Sequence, residues 1–238
     1  MNNSYVGKVK AGEVIVHIFL ILVVIFVILP VLFMLVASFM DARQIMAMPF
    51  NWIPSKDYFS SPTRTFMTNF IKAVRGNNDN NIFFTAVFNS LVVAITCSIT
   101  TVFFSALCGY GLAKFNFKGR NVVFMAIMST MMIPFEAIMI PLYMVSKMLG
   151  IMNTLPGLII PFAISAFGVF QMRQYLLTFP SEYLDASRVD GLGEFSIFLR
   201  IVLPNATPVI ATLGILSFRN QWDNLLWPML CAHATKEH

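Results

Sequence analysis

Charged residues are scarce in this sequence. Asp, Glu, Lys and Arg together make up 11% of the 238 residues, whereas soluble domains contain about 25%. Apolar residues make up 58%, and the mean hydropathy is +0.75. A water-soluble globule of this composition would expose more apolar surface than soluble proteins tolerate. The composition therefore excludes a soluble enzyme as the default interpretation and predicts that a lipid bilayer surrounds much of the chain.

Residues and motifs that form disulfides, bind metals or bind nucleotides are also scarce. Only three cysteines occur, and Cys97 and Cys108 would lie about 16 Å apart along a helix, too far for a disulfide. The three histidines are isolated and do not form a metal-binding cluster. No Gly-x-x-x-x-Gly-Lys-Ser/Thr loop is present, so the chain itself is not expected to bind nucleotide phosphates. We therefore predict no catalytic residues, no cofactor and no metal site.

The basic residues are scattered singly between apolar segments, although the formal net charge is +5. A nucleic-acid-binding protein would cluster them on one face or in one run. We therefore expect no nucleic-acid partner, and we interpret the basic residues as signals of membrane topology.

Five segments are long and apolar enough to cross the hydrocarbon core as helices. They cover residues 14–40, about 82–114, 121–145, 155–177 and 205–231. The predicted fold is therefore an all-α integral membrane protein with about five transmembrane helices that contact lipid. Its organisation is a terminal segment at 1–13, a first span at 14–40, a loop at 41–81, a helical core domain at 82–231 and a polar tail at 232–238.

Lysine and arginine in the short connections predict the orientation, because cytoplasmic loops are enriched in these residues. Lys8 and Lys10 precede the first span, and three basic residues occur at 114–120, whereas the turn at 146–154 contains only Lys147. This distribution favours a cytoplasmic N-terminus at 1–13 and an extracytoplasmic loop at 41–81.

The segment 171–204, predicted to lie on the cytoplasmic side, concentrates charge. It contains four of the eleven acidic residues, Glu182, Asp185, Asp190 and Glu194. A charged segment in so apolar a chain indicates a water-facing function.

Local signals predict a helix, a turn and a second helix in this segment. Ser181 can cap the first helix with its side chain, and Gly191 can end it in a left-handed conformation. The second helix would bury one face that carries Phe195, Phe198, Leu199 and Val202. We expect the element to protrude from the membrane and to bind a soluble partner.

The same segment carries an ordered motif. It reads Asp185-Ala186-Ser187, three residues, Gly191, nine residues, Ile201, one residue, Leu203-Pro204. This closely resembles the EAA loop of ABC-importer permeases, whose pattern is Glu-Ala-Ala, three residues, Gly, nine residues, Ile-x-Leu-Pro. Asp185 and Ser187 depart from that pattern conservatively. Residues 89–92, 110–121, 140–143, 180–191 and 222–228 further resemble the maltose-type carbohydrate branch of the family.

The resemblance implies a permease subunit in the inner membrane of a bacterial or archaeal cell. Its partners would be a second permease subunit in a heterodimer, two cytoplasmic ATP-binding subunits and an extracytoplasmic sugar-binding protein. The chain would not be an enzyme, because the ATP-binding subunits would hydrolyse ATP. Segment 171–204 would then be the coupling loop, with ATPase-docking residues Glu182, Asp185, Ala186, Ser187, Asp190 and Gly191.

Polar residues inside the predicted spans allow two interpretations each. Glu136, between two prolines of the third span, is either part of a substrate pathway or solvated where a helix breaks near the outer surface. Asn220, Asp223 and Asn224 belong to a polar cluster late in the fifth span, beside Trp222 and Trp227. This cluster could bind a sugar, or it could anchor the interface or contact the second permease.

One alternative function remains. The resemblance predicts a family core of six spans, and only five are found within these residues. A truncated permease that binds partners without transporting anything is therefore the second hypothesis. A channel or secondary transporter is the third, without support from ordered charged residues or inverted repeats.

Overall fold

The computed structural model describes residues 11–40, 42–49, 51–54, 70–75 and 82–232, and within these ranges all regular secondary structure is helical. The chain divides into two compact units, Met1–Phe84 and Thr85–His238. This confirms the predicted all-α fold class.

The first unit is dominated by one long apolar helix, α1 (Ala11–Ala37). Its apolar side chains are exposed along its length, as expected for a helix surrounded by lipid. A one-turn helix, α2 (Ala42–Ile45), follows, and residues 70–75 are also helical. Phe33 of α1 contacts Trp52 edge to face, with ring centroids 5.9 Å apart.

The second unit contains most of the described helices. They are α3 (Ile82–Lys114), α4 (Arg120–Thr130), α5 (Phe135–Met148), α6 (Leu155–Ile159, continued by a 3₁₀ turn at Ile160–Phe162), α7 (Ala166–Thr178), α8 (Glu182–Val189), α9 (Glu194–Asn205), α10 (Thr207–Trp222) and α11 (Leu226–Ala232).

Among the described helices, only α1 and α3 are individually long and apolar enough to cross a membrane. Three further pairs qualify if each bent pair is one span: α4 with α5 at 100°, α6 with α7 at 44°, and α9 with α10 at 83°. The described chain therefore contains two to five candidate spans by length and composition.

The structure corrects the last three predicted spans, which are not continuous helices. Segment 121–145 breaks before Pro134, which lies outside α5 with an extended backbone at φ −64° and ψ 143°. Segment 155–177 breaks at 163–165. Segment 205–231 is interrupted twice, at Ala206 and between Trp222 and Leu226. Proline explains the first break, since it removes a backbone donor and restricts its neighbour.

Small polar side chains on α3 satisfy carbonyl groups near the break between α6 and α7. Thr101 Oγ1 donates to the carbonyl of Phe162 at 2.8 Å, and Ser105 Oγ donates to that of Ser165 at 3.3 Å. Cys97, one helical turn earlier, directs its Sγ to the carbonyl of Ile159 at 3.8 Å. Irregular backbone survives inside a bilayer only when such partners replace water. The contacts of Cys97, Thr101 and Ser105, spaced four residues apart on α3, therefore stabilise the bend between α6 and α7.

Glycines allow α3 and α7 to approach closely. A Cβ added to Gly109 would lie 2.6 Å from the Cβ of Met172 and 2.9 Å from the backbone nitrogen of Arg173. A Cβ added to Gly168 would lie 2.6 Å from Ser105 Oγ. Close backbone approach at small residues is the usual means of packing helices in membranes.

We predict that Gly109→Ala lowers the free energy of unfolding by about 1–3 kcal/mol, because the added methyl group overpacks the contact between α3 and α7. Gly111→Ala, two residues away, is the matched control, since its Cβ would meet nothing within 4 Å. The control is expected to be neutral or stabilising, because alanine favours a helix more than glycine does. Thermal unfolding in detergent measures both variants. If Gly109→Ala and Gly111→Ala lowered the free energy of unfolding equally, close packing at Gly109 would not be the cause.

Candidate functional site

The start of α8 is fixed by its backbone and by Lys114. The carbonyl of Ser181 accepts hydrogen bonds from the backbone nitrogens of Leu184 and Asp185 at 2.9 and 3.0 Å. Lys114 Nζ donates to the carbonyl of Phe179 and, at 3.4 Å, to Ser181 Oγ. The predicted side-chain cap at Ser181 is therefore wrong. Its backbone is already helical, at φ −73° and ψ −22°, whereas a capping residue normally has an extended backbone.

Gly191 ends α8 as predicted, in the left-handed region at φ +83°. Its nitrogen donates to the carbonyl of Arg188, and that of Leu192 donates to Ser187, both at 3.0 Å. These two bonds form a Schellman motif, which satisfies the last carbonyls of a helix and reverses the chain. A side chain at Gly191 would be strained by the positive φ, although space is available.

The predicted buried face of the second helix is only partly correct. Phe198 and Val202 are fully buried, but Phe195 is 57% exposed and Leu199 also lies outside the core. Ile197 is buried with Phe198. Ile197, Phe198 and Val202, with the partly buried Ile201, still follow helical spacing, but they form a different face of the helix from the one predicted.

Both loop helices are anchored in the main hydrophobic core. The Phe198 ring lies 6.0 Å from that of Phe103 and 5.8 Å from that of Tyr110, both on α3. Leu184 of α8 is buried in the same cluster. The cluster contains Ala106, Tyr110, Ala113, Met172, Leu176, Leu184, Ile197, Phe198, Val202, Ala206 and Leu213. Leu184 and Ser187 thus anchor α8, and the other six residues of this helix are exposed.

A chain of polar contacts connects the turn to α3. Arg188 pairs with Asp185 at 2.7 Å and with Glu194 at 2.7 Å, and Tyr110 Oη donates to Glu194 Oε2 at 2.9 Å. The hydrogen bond to Glu194 is the main reason that the pKa of Arg188 is raised. Because both ion pairs are partly exposed, each contributes at most about 1 kcal/mol. Their main effect is therefore to orient α8 relative to α9 and α3.

Five of the six predicted docking residues are exposed, and one is not. Glu182, Asp185, Ala186, Asp190 and Gly191 face outward, whereas Ser187 is 6% exposed. Ser187 Oγ donates to the carbonyl of Tyr183 at 2.7 Å. Ser187 therefore belongs to the packed side of α8 and is not a surface contact.

Two apolar residues of the exposed face were missed in the sequence analysis. Tyr183 is 62% exposed and Val189 is 88% exposed. Val189 follows Glu182, Asp185 and Ala186 at positions i+7, i+4 and i+3, so helical spacing alone could have found it. We call the exposed set Glu182, Tyr183, Asp185, Ala186, Val189 and Asp190 the α8 face.

A second candidate site is a cavity of about 530 Å³ in the second unit. Asn220, Asp223 and Asn224 line it together, as the sequence grouped them, and Glu136 is not among its lining residues. The other polar lining residues are Thr101, Ser165, Ser217 and Gln221. Phe135, Phe162 and Phe167 contribute aromatic walls.

Glu136 lies in the first turn of α5, directly after the break at Pro134, and it is exposed. This geometry agrees with the alternative of a broken helix. A carboxylate in a first helical turn is also favoured by the helix dipole.

The two tryptophans beside the polar cluster differ in environment. Trp227 is 1% exposed, and its Nε1 donates to the carbonyl of Gly157 at 3.0 Å. Trp227 is therefore a packing residue that joins α11 to α6. Trp222 is partly exposed and stacks on Phe218 at 5.8 Å.

Comparison with known proteins places these features in a family. Residues 102–232 match the family model described as binding-protein-dependent transport system inner membrane component. The arabinooligosaccharides transport system permease protein AraQ of Bacillus subtilis is 42% identical over 153 residues, which is 64% of this chain and 54% of AraQ. The lactose transport system permease protein LacG of Rhizobium radiobacter is 39% identical over 142 residues, which is 60% of this chain and 52% of LacG. These matches span only about half of each relative.

A longer match is the sn-glycerol-3-phosphate transport system permease protein UgpE of Agrobacterium fabrum. It is 33% identical over 224 residues, which is 94% of this chain and 78% of UgpE. Among solved structures, a bacterial ABC transporter involved in the import of the acidic polysaccharide alginate has a similar fold. The TM-score is 0.72 at 24% identity, covering 95% of this chain and 78% of that chain.

We predict that Leu184→Ala lowers the free energy of unfolding by about 2–5 kcal/mol, because it leaves a cavity in the core. Tyr183→Ala, the adjacent exposed position, is the control and should cost about 1 kcal/mol or less, since it loses mainly a ring contact with Phe179. Chemical denaturation in detergent compares the two. If α8 were not packed in the core, Leu184→Ala and Tyr183→Ala would lower the free energy of unfolding by similar small amounts, which would contradict this prediction.

Proposed function

Because this chain belongs to the family of binding-protein-dependent transport system inner membrane components, we propose that it is a permease subunit of an ATP-driven carbohydrate importer. It is a multi-pass protein of the cell membrane with a cytoplasmic N-terminus. A second permease subunit completes the translocation pathway, and two cytoplasmic subunits bind and hydrolyse ATP. An extracytoplasmic sugar-binding protein delivers the substrate.

The α8 face is the observation that supports this proposal most strongly. It combines three carboxylates with the apolar side chains of Tyr183 and Val189 on one exposed surface. Exposed apolar residues bordered by polar ones are typical of protein-binding surfaces. The docking residues are Glu182, Asp185, Ala186, Asp190 and Gly191, together with these two apolar residues. Ser187 supports the face from the packed side of α8.

The way α8 is anchored explains how ATP hydrolysis in a partner moves this chain. Leu184 joins α8 to the core formed by α3, α7 and α9. The contacts among Arg188, Glu194 and Tyr110 also hold the turn against α3. A displacement of α8 is therefore transmitted to the membrane helices. ATP shifts the transporter between conformations only if the ATP-binding subunits contact the α8 face differently in the two states.

The names of the relatives support a carbohydrate substrate. AraQ and LacG are named for arabinooligosaccharide and lactose transport. These two relatives also have higher identity over the matched region than UgpE, which is named for glycerol phosphate. We therefore assign this chain to carbohydrate import.

The second hypothesis, an inert membrane protein that binds partners without transport, is not favoured by relatives named as permeases. The two hypotheses differ in one result. The importer predicts ATP-dependent sugar uptake that requires this chain, whereas the inert protein predicts partner binding without uptake.

We predict that Ala186→Arg abolishes copurification of the ATP-binding subunits and lowers ATP-dependent sugar uptake at least about tenfold. Ala186 is exposed in the centre of the α8 face, so a long charged side chain there blocks close approach without disturbing the core. Losing about 1.4 kcal/mol of binding free energy already corresponds to a tenfold weaker association.

Ala186→Ser is the matched control and should retain both copurification and uptake. The unfolding temperature should be the same in the two variants. Normal uptake by Ala186→Arg would show that the α8 face does not bind the ATP-binding subunits.

A further inference from the structure

The bend between α9 and α10 turns α9 towards the plane of the membrane. The two helices meet at an angle of 83°, with Ala206 between them. α10 has 16 residues and belongs to an apolar candidate span. Its length of about 24 Å accounts for most of the hydrocarbon thickness of a bilayer. A helix at nearly a right angle to such a span runs along the membrane surface.

α9 has one buried side and one exposed side. Ile197, Phe198 and Val202 are buried in the core of the second unit. On the other side, Phe195 is 57% exposed, and Leu199, one turn later, is 40% exposed. Helices that lie in the membrane interface bury an apolar side of this kind among the lipids.

The exposed side of α9 also carries a cation. Arg200 is exposed, and its side chain makes no hydrogen bond or ion pair within the described residues. An arginine beside apolar residues can extend its aliphatic part along them while its guanidinium reaches the lipid headgroups. A guanidinium without another partner can form two parallel hydrogen bonds to a phosphate. We call Phe195, Leu199 and Arg200 the α9 face.

The α8 face and the α9 face differ in charge. The α8 face contains three carboxylates, which an anionic membrane surface would repel. Residues 195–205 contain no Asp or Glu, and Glu194, at the start of α9, is already paired with Arg188. The α9 face is therefore positive. Its charge complements an anionic bilayer surface, which attracts arginine and lysine.

We infer that the α9 face lies in the cytoplasmic leaflet, with Phe195 and Leu199 among the acyl chains and Arg200 bound to the phosphate of an anionic phospholipid. The choice of leaflet rests on the proposed orientation of the chain. The lipid contact goes beyond the proposed importer function, since it requires neither ATP nor sugar. It gives the segment two attachments, to a protein through α8 and to the membrane through α9.

Fluorescence quenching tests this contact in the assembled transporter. The transporter is reconstituted into vesicles of equimolar phosphatidylcholine and phosphatidylglycerol, and a bimane label at Phe195→Cys reports on the α9 face. Bromine on the acyl chains of one of the two lipids quenches the label only where that lipid is in contact. Both brominated lipids should quench, and the apparent affinity should be about fivefold higher for phosphatidylglycerol, the factor expected for one basic residue at an anionic surface.

Three controls accompany this measurement. Leu199→Cys repeats it at the second apolar position of the α9 face. Ser181→Cys is exposed and lies outside both faces, so neither brominated lipid should quench a label there. The chain with only its native cysteines gives the background. Because no ATP or sugar is added, a failure of the lipid contact can be distinguished from a failure of coupling in the Ala186→Arg experiment.

Substitution of Arg200 provides the second arm. With the label at Phe195→Cys, Arg200→Gln should retain quenching by brominated phosphatidylcholine and lose the preference for phosphatidylglycerol, whereas Arg200→Lys should retain most of it. If neither lipid quenched the labels at Phe195→Cys and Leu199→Cys, protein or water would cover the α9 face and the inference would be overturned. A preference that is absent with Arg200 or survives Arg200→Gln would overturn the assignment of the headgroup to Arg200.

Discussion

Burial of Leu184, Ile197 and Phe198 between α3 and α7 is the constraint on which this structure depends. It converts a polar segment of the chain into a rigid extension of the helical core. The α8 face then stays exposed while Leu184 and Ser187, on the opposite side of the same helix, are buried. The Schellman motif at Gly191 and the contacts of Arg188 fix the angle between α8 and α9.

Broken helices give the second unit both of its candidate sites. The bend between α9 and α10 follows the segment that carries the α8 face, and the breaks beside α5, α7 and α11 line the cavity. Each break frees backbone groups that lipid cannot satisfy. At the bend between α6 and α7, the hydroxyl groups of Thr101 and Ser105 on α3 donate hydrogen bonds to two of these freed carbonyl groups. The long, continuous α3 therefore supports the irregular helices around it.

The sequence was sufficient for features that depend on local periodicity or on a single residue. Apolar length located α1 and α3, and Gly191 could be assigned as a turn because no other residue tolerates its φ as well. Features that depend on tertiary packing were missed. The neighbouring helices determine which face of α9 is buried, and they also bury Ser187 and Trp227. The grouping of Asn220, Asp223 and Asn224 was predictable from their positions in the sequence. That they line one cavity together with Phe135 and Ser165, which lie at other helix breaks, was not.

If α8 is packed into the core as described, it moves with α3 as one body, and a distance measurement tests this most directly. Spin labels at Ser181→Cys, directly before α8 and outside the α8 face, and at Ile99→Cys on α3 both occupy exposed positions. Electron–electron double resonance on the assembled transporter then compares the ATP-free and ATP-bound states. We expect the same label-to-label distance in both states. A shift of several ångströms would show that the loop moves independently of the core and would contradict the account.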